Sequence, residues 1–192
     1  MANKKLKGAD YLLLLLYVDQ KLPILGAVRL EKMMFLFNQE ISKALKEKGL
    51  ESEKLATFIA YNFGPFSKDV YEQAEFFKGI GFIKITNINA HEELGEVDDW
   101  EESSFVDELW NDENDTSIPD SKYMKYEITD KGSEFVSKLL LKEVNAEQLE
   151  LLELFKKKIT SMPIKQLLHY VYINYPDYTK NSLIKDEVLG DE

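Results

Sequence analysis

Few residues in this chain are of a type and spacing that could do covalent or metal chemistry. The only histidines are His91, which is followed by Glu92 and Glu93, and His169; there is no cysteine. A helical metal motif needs a second histidine at helical spacing, and His91 has none, so no metal ligand is assigned. The lack of cysteine excludes disulfides, thiolate metal sites and a thiol nucleophile. No nucleophile elbow, phosphate loop or dinucleotide fingerprint is present. Carboxylates are too abundant for any pair to stand out. The expectation is a chain with no catalytic residues, no cofactor and no metal, and so not an enzyme.

Two other patterns suit binding. Residues 67–78 read as a helix whose projection puts Lys68, Glu72, Glu75 and Phe76 on the outward face, with Asp69 and Tyr71 at its edges. That helix is net -1. A duplex carries a phosphate charge about every 1.7 Å of axis, so an acidic reading face is repelled. Aromatics among acids suit a protein partner, because aromatic anchors dominate interface energies. The competing reading packs Tyr71 and Phe76 against the C-terminal helices of the same chain.

The second pattern lies in residues 91–121, which hold thirteen acids and no Lys or Arg. The whole chain has 192 residues, 35 acids and 24 bases, a net charge of -11; without this segment the remainder is +2. Ser104 to Asp107 resembles a capping box. Phe105, Val106, Leu109 and Trp110 then fall on one side of a short helix, and Trp100 lies just before it. One reading is an acidic amphipathic helix that docks into a basic-rimmed groove of a partner. The other is a helix folded back over the chain's own surface. The partner-binding set is therefore Lys68, Tyr71, Glu72, Glu75, Phe76, Trp100, Phe105, Leu109 and Trp110.

The bases are 23 lysines and one arginine, Arg29. Arginine is the usual bidentate reader of guanine and phosphate, so base readout is poorly provided for. Candidate phosphate contacts are Arg29, Lys32, Lys68, Lys156 and Lys157, although a solvated helix face is the simpler account of the run Lys156 to Lys158.

The elements that must position these residues follow from periodicity. Residues 9–19 are apolar all round, which describes a central helix. The run Tyr11 to Val18 is far short of the roughly 20 residues a membrane span needs, and no signal-peptide cleavage pattern follows Lys4, Lys5 and Lys7. No membrane partner and a cytoplasmic location are expected. Leu22 to Leu25 is an extended break at Pro23. Residues 26–48 form a long helix, with Leu30, Met33, Met34, Phe37, Ile41, Ala44 and Leu45 inward and Gly49 at its end. Residues 55–63 fit helix or strand equally. A turn at Gly64 to Ser67 precedes the helix 67–78, which Ser67 caps and whose inward stripe is Val70, Ala74 and Phe77. Residues 81–85 and 123–128 alternate as strands. Thr129 caps a helix to about Leu141. Helices 146–159 and 163–174 follow, then a short one over 181–188.

The order helix, helix, helix, strand, long loop, strand, helix is that of a winged helix-turn-helix, with 67–78 in the recognition position and the two strands as the wing. Leu22 to Leu25 would be its short third strand. The expected fold is mainly α with a small β-hairpin wing, in a single domain 1–192. Its winged-helix core is 8–141, its acidic wing insertion 88–122 and its C-terminal helical portion 146–189.

Several stretches resemble one family: YLLLLLYV and LPILGAVRLEKMMFLF, then FIAYNFGPFSKDVYEQAEFFKGIGFIKI, YEITDKGSEF and LLHYVYINYPDYTKNSLI. They resemble the YwgA-like proteins of bacteria and archaea, related to the Panacea or SocA-like antitoxin domain. The pieces RLEKMMFLF and YNFGPFS are the most specific. The resemblance covers nearly the whole chain outside residues 88–122, and implies a helical, winged-helix-like domain with antitoxin or regulatory roles and no catalytic residues. The expected function is a protein-interaction module of antitoxin or regulatory type, with a toxin-like or regulatory protein as its partner. The alternative is a dimeric DNA-binding transcriptional regulator, which the acidic wing disfavours.

Overall fold

A computed structural model describes residues 4–88 and 123–190. The fold is mainly helical, with three small sheets among the described residues. Strand β1 (Lys4–Lys7) leads directly into helix α1 (Gly8–Tyr17). Tyr11 and Leu12 to Leu16 are all fully buried, as an all-apolar helix requires. The chain leaves α1 through Asp19, Gln20 and Lys21, three consecutive residues in the left-handed region with φ of 57°, 54° and 61°. It then enters β2 (Ile24–Leu25), at the extended break expected from Pro23.

Helix α2 (Ala27–Leu36) runs through a π-helical turn, Phe37–Ile41, into α3 (Ser42–Glu47), which ends at Gly49 with φ of 83°. The long helix expected over 26–48 is thus present, interrupted by one widened turn. Leu50–Glu53 forms β3, paired in parallel with β1. The stretch left open between helix and strand holds β4 (Ile59–Tyr61), which pairs antiparallel with β5 (Gly64–Phe66). The turn expected at Gly64 to Ser67 is therefore a correction: the reversal occurs at Asn62 and Phe63, and Gly64 already belongs to a strand.

Helix α4 (Lys68–Gly79) starts one residue after Ser67, and Val70, Ala74 and Phe77 are buried as its period predicts. Ser67 makes no side-chain cap, which corrects a second expectation. Strands β6 (Ile83–Ile88) and β7 (Tyr123–Ile128) pair antiparallel, and β2 joins the other edge of β7, giving the order β2-β7-β6. Thr129 does cap α5 (Asp130–Lys138): its Oγ1 accepts from the Gly132 N–H at 3.1 Å and donates to the Gly81 carbonyl at 2.7 Å. A Cβ on Gly132 would lie 2.1 Å from the Phe82 carbonyl oxygen, so only glycine lets α5 sit this close to the strand.

Helix α6 (Ala146–Ser161) opens with a reciprocal cap, in which Asn145 Oδ1 accepts from the Gln148 N–H and Gln148 Oε1 accepts from the Asn145 N–H, both at 2.9 Å. Helix α7 (Ile164–Asn174) buries Ile164, Leu167, Leu168, Val171 and Tyr172. Helix α8 (Lys185–Leu189) is shorter than the 181–188 expected. One apolar core runs from Leu6 to Tyr172 and takes side chains from α1, α2, α4, α6 and α7. Among the described residues, no helix is long and apolar enough to cross a membrane.

Candidate functional site

The two most specific sequence pieces, 29–37 and 61–67, meet inside the molecule. Glu31 and Lys32 lie on α2 and are both fully buried. Lys32 Nζ donates to Glu31 Oε2 and to the Pro65 carbonyl, each at 2.8 Å. The other carboxylate oxygen of Glu31 accepts from the Ser67 backbone N–H at 3.3 Å. This ion pair fastens the end of β5 and the first turn of α4 to α2. Burial pushes the Glu31 carboxyl up and the Lys32 ammonium down, while each partner's charge opposes that shift in the other. Tyr71 is buried beside them. Burial first, then the Glu31 carboxylate, hold its phenol well above the ordinary range.

Tyr71 is accordingly not an exposed partner contact, which corrects its placement at the edge of the outward face. Its ring stacks 6.0 Å from Phe66, and Phe66 lies 5.1 Å from Tyr61. Ile59 pairs across the hairpin with Phe66, and Tyr61 is two residues on, so all three share one face. Ile59 and Tyr61 are 54% and 39% exposed. An aromatic strip therefore leads from the hairpin surface inward to α4. The sequence reading passed over Ile59 and Tyr61; their period-two spacing was the available signal.

The outward face of α4 is otherwise as expected. Phe76 is 61% exposed. Lys68 pairs with Glu72 at 3.0 Å and Lys78 with Glu75 at 3.1 Å. The lysines on this helix each lie beside one of its own carboxylates in solvent, so the surface offers an apolar ring among charges of both signs. Trp100, Phe105, Leu109 and Trp110 lie outside the described residues, as does His91.

The candidate phosphate contacts fare differently. Lys32 is buried in its ion pair, so it reaches no solvent-side phosphate. Lys156 is also fully buried, with Nζ donating to the carbonyls of Val18 at 2.9 Å and Leu22 at 2.6 Å. Burial lowers its ammonium to about 8. Arg29 is half-buried and donates to the Ile159 and Met162 carbonyls at 2.7 and 2.6 Å, at the C-terminal end of α6 where a helix favours a cation. These three are corrected from phosphate contacts to internal clamps. Lys68 and Lys157 do reach solvent, each within an ion pair. Among the described residues, no group of three or more His, Asp or Glu is placed to hold a metal ion. His169 is exposed on α7, as its position off the apolar stripe predicted.

No family model, no curated protein and no solved structure matches the chain.

Proposed function

We propose that this chain is a non-enzymatic protein-interaction module of antitoxin or regulatory type. It is built on a winged-helix core and binds a protein partner through the outward face of α4 together with the acidic residues 91–121. The winged-helix reading rests on the element order α1, β2, α2, α4, β6, β7 and on the strand order β2-β7-β6, with α4 in the recognition position. The acidic residues fall in the sequence between β6 and β7, the two strands of the wing. Kinship with the YwgA-like and Panacea-type proteins is part of the proposal and agrees with it. The residues of the two motifs that carry this resemblance pair with each other to fix α4.

The observation that carries the functional reading is Phe76, 61% exposed on a helix whose lysines lie beside Glu72 and Glu75. A DNA-reading helix needs free cations, and a protein-binding one needs a desolvatable aromatic anchor. The full chain, used as bait in native lysate with nuclease added, is expected to retain one stoichiometric protein. Phe76→Ala should weaken that complex at least about tenfold and leave stability unchanged, since the ring is exposed. Capture of DNA alone, abolished by nuclease, with affinity falling steeply with salt and rising when residues 91–121 are deleted, would replace this reading with the DNA-binding regulator.

A further inference from the structure

The π-helical turn Phe37–Ile41 sits where α2 passes under α6 and α7. Such turns are rare and cluster at functional sites, because the extra residue re-aims a side chain out of the helical register. Here it presents Glu40. A single carboxylate oxygen of Glu40 accepts the hydroxyls of both Tyr170 and Tyr175, at 2.8 and 2.7 Å. Its second oxygen takes no hydrogen bond, and the carboxylate makes no ion pair, among the described residues. Burial and the Glu40 carboxylate push the Tyr170 phenol up to about 12, so it remains a donor at any physiological pH.

Glu40 lines a half-enclosed cavity of about 210 Å³. Its walls are Leu36, Ile41, Leu151, Phe155, Ile159 and Met162. The remaining charged lining residue is Lys158, whose Nζ lies 5.4 Å above the Tyr170 ring. Lys158 makes no ion pair among the described residues either. Glu40 and Lys158 thus bracket one tyrosine: the carboxylate holds its hydroxyl and the ammonium covers its face. An apolar slot carries one charge of each sign, neither in an ion pair among the described residues, with Lys158 exposed at its mouth.

These features select the occupant. At about 210 Å³ the cavity is smaller than the roughly 300–1,000 Å³ usual for pockets that take drug-sized ligands, which favours a small occupant. A simple apolar amine would satisfy Glu40 but place a second cation beside Lys158. A simple apolar carboxylate would satisfy Lys158 but face Glu40. A neutral apolar molecule would dehydrate the half-buried Glu40 carboxylate and leave it without a cation, which is costly. We propose that this cavity binds a free apolar α-amino acid of about leucine's size. The ammonium is held by the second oxygen of Glu40, the carboxylate by Lys158 and the side chain by the slot. The site lies on α2, α6 and α7, away from the outward face of α4, and is independent of the protein-partner reading.

The test uses the full chain and calorimetric titration with L-leucine, L-isoleucine, L-methionine and L-phenylalanine. Two controls each lack one charge: isoamylamine, without the carboxylate, and isocaproate, without the amine. At least one of the amino acids should bind saturably, and both controls should bind at least about tenfold more weakly, the loss expected for one charge-assisted hydrogen bond. Lys158→Met, on an exposed side chain that folding does not need, should weaken amino-acid binding by a similar factor. Glu40→Gln, which still accepts the two tyrosine hydroxyls, should do the same. No binding by any of the four amino acids overturns the proposal. So does equal binding of isoamylamine or isocaproate, and so does a Lys158→Met protein that binds as the wild type does.

Discussion

Lys32 and Lys156 both lie fully inside the protein, yet their surroundings differ in kind. Lys32 has a carboxylate, Glu31, together with the Pro65 carbonyl. Lys156 has no carboxylate in contact among the described residues; it donates to the carbonyls of Val18 and Leu22, on either side of the left-handed turn Asp19 to Lys21. The first arrangement is a mutual debt between two charges, in which neither can be removed without stranding the other. The second is a cation satisfied by dipoles, with Asp19 and Glu153 supplying only longer-range attraction. One is a fixed joint between α2 and the base of α4. The other is a clasp whose proton can leave within an accessible pH range.

Breaking the joint should have the largest effect. Glu31→Ala leaves the Lys32 ammonium buried without its counter-charge and takes the acceptor from the Ser67 N–H. A loss of about 3–5 kcal/mol is expected, read as a lowered urea midpoint with little change in slope. The double change Glu31→Met with Lys32→Met removes both charges at similar volume and should recover most of that loss. If the double variant is as unstable as the single, the pair is holding the β5–α4 junction by hydrogen bonds rather than by charge compensation.

The clasp should show itself through pH. The Lys156 ammonium falls from 10.5 to about 8 on folding, chiefly through burial. Below about 8 it is protonated in both states and the full desolvation penalty applies. Between about 8 and 10.5 the unfolded chain holds more protons, so stability rises with pH, by roughly 3 kcal/mol at most. The rise meets an opposing slope. Tyr170 and Tyr172 are raised to about 12 by burial, and a raised phenol contributes stability that is lost as pH climbs from about 10 to 12. Stability is expected to climb from pH about 8, peak near pH about 10 and fall beyond. In Lys156→Met the climb should vanish while the fall remains. A wild-type curve already flat from pH 8 to 10 would mean that Lys156 keeps an ordinary, solvated ammonium in the folded protein.

These two lysines also show what was legible in the sequence. Strand β7 was readable to the residue from alternation, and α4, α6 and α7 from their apolar stripes, because each signal is local. The burial of Lys156 was readable too: it lies four residues after Leu152 and three before Ile159, on the inward stripe, but the run Lys156 to Lys158 looked like a solvated face. Glu31 and Lys32 sit in a helix buried on nearly every face, but with Arg29, Glu31 and Lys32 in one turn its sequence carried no sign that no face was left for charge. The β1–β3 pairing left no mark either. Its strands read KKLK and LESE, with one apolar residue each, and they pair in parallel across forty-six positions. The Gly64-Pro65 pair signalled a turn, but the left-handed φ of Gly64 serves a strand start just after the reversal. Of the candidate site, Phe76 was legible from helical projection. Glu40, Lys158 and Tyr170 were not, because residues more than a hundred positions apart meet only through helix packing and one widened turn.

The smallest effect separates the inside of the clasp from its outside. Lys157 is half exposed and pairs with Glu153 at 2.5 Å and with Asp19 at 3.7 Å. Asp19 is buried and sits in the left-handed turn that Lys156 grips from within. Three consecutive non-glycine residues in that region are individually unfavourable, so something must hold them. If the grip is internal, Lys157→Ala removes a half-exposed pair with Glu153 and a long one with Asp19, which keeps the attraction of Lys156, and should leave the urea midpoint within the range of an ordinary surface substitution. It should also leave the alkaline climb intact, since Lys156 keeps both carbonyls. A Lys157→Ala protein that unfolds markedly earlier, or loses the climb, would move the grip to the surface pair. The contrast between Lys32 and Lys156 would then be one between a buried joint and an electrostatic strap, which salt would weaken in the second and spare in the first.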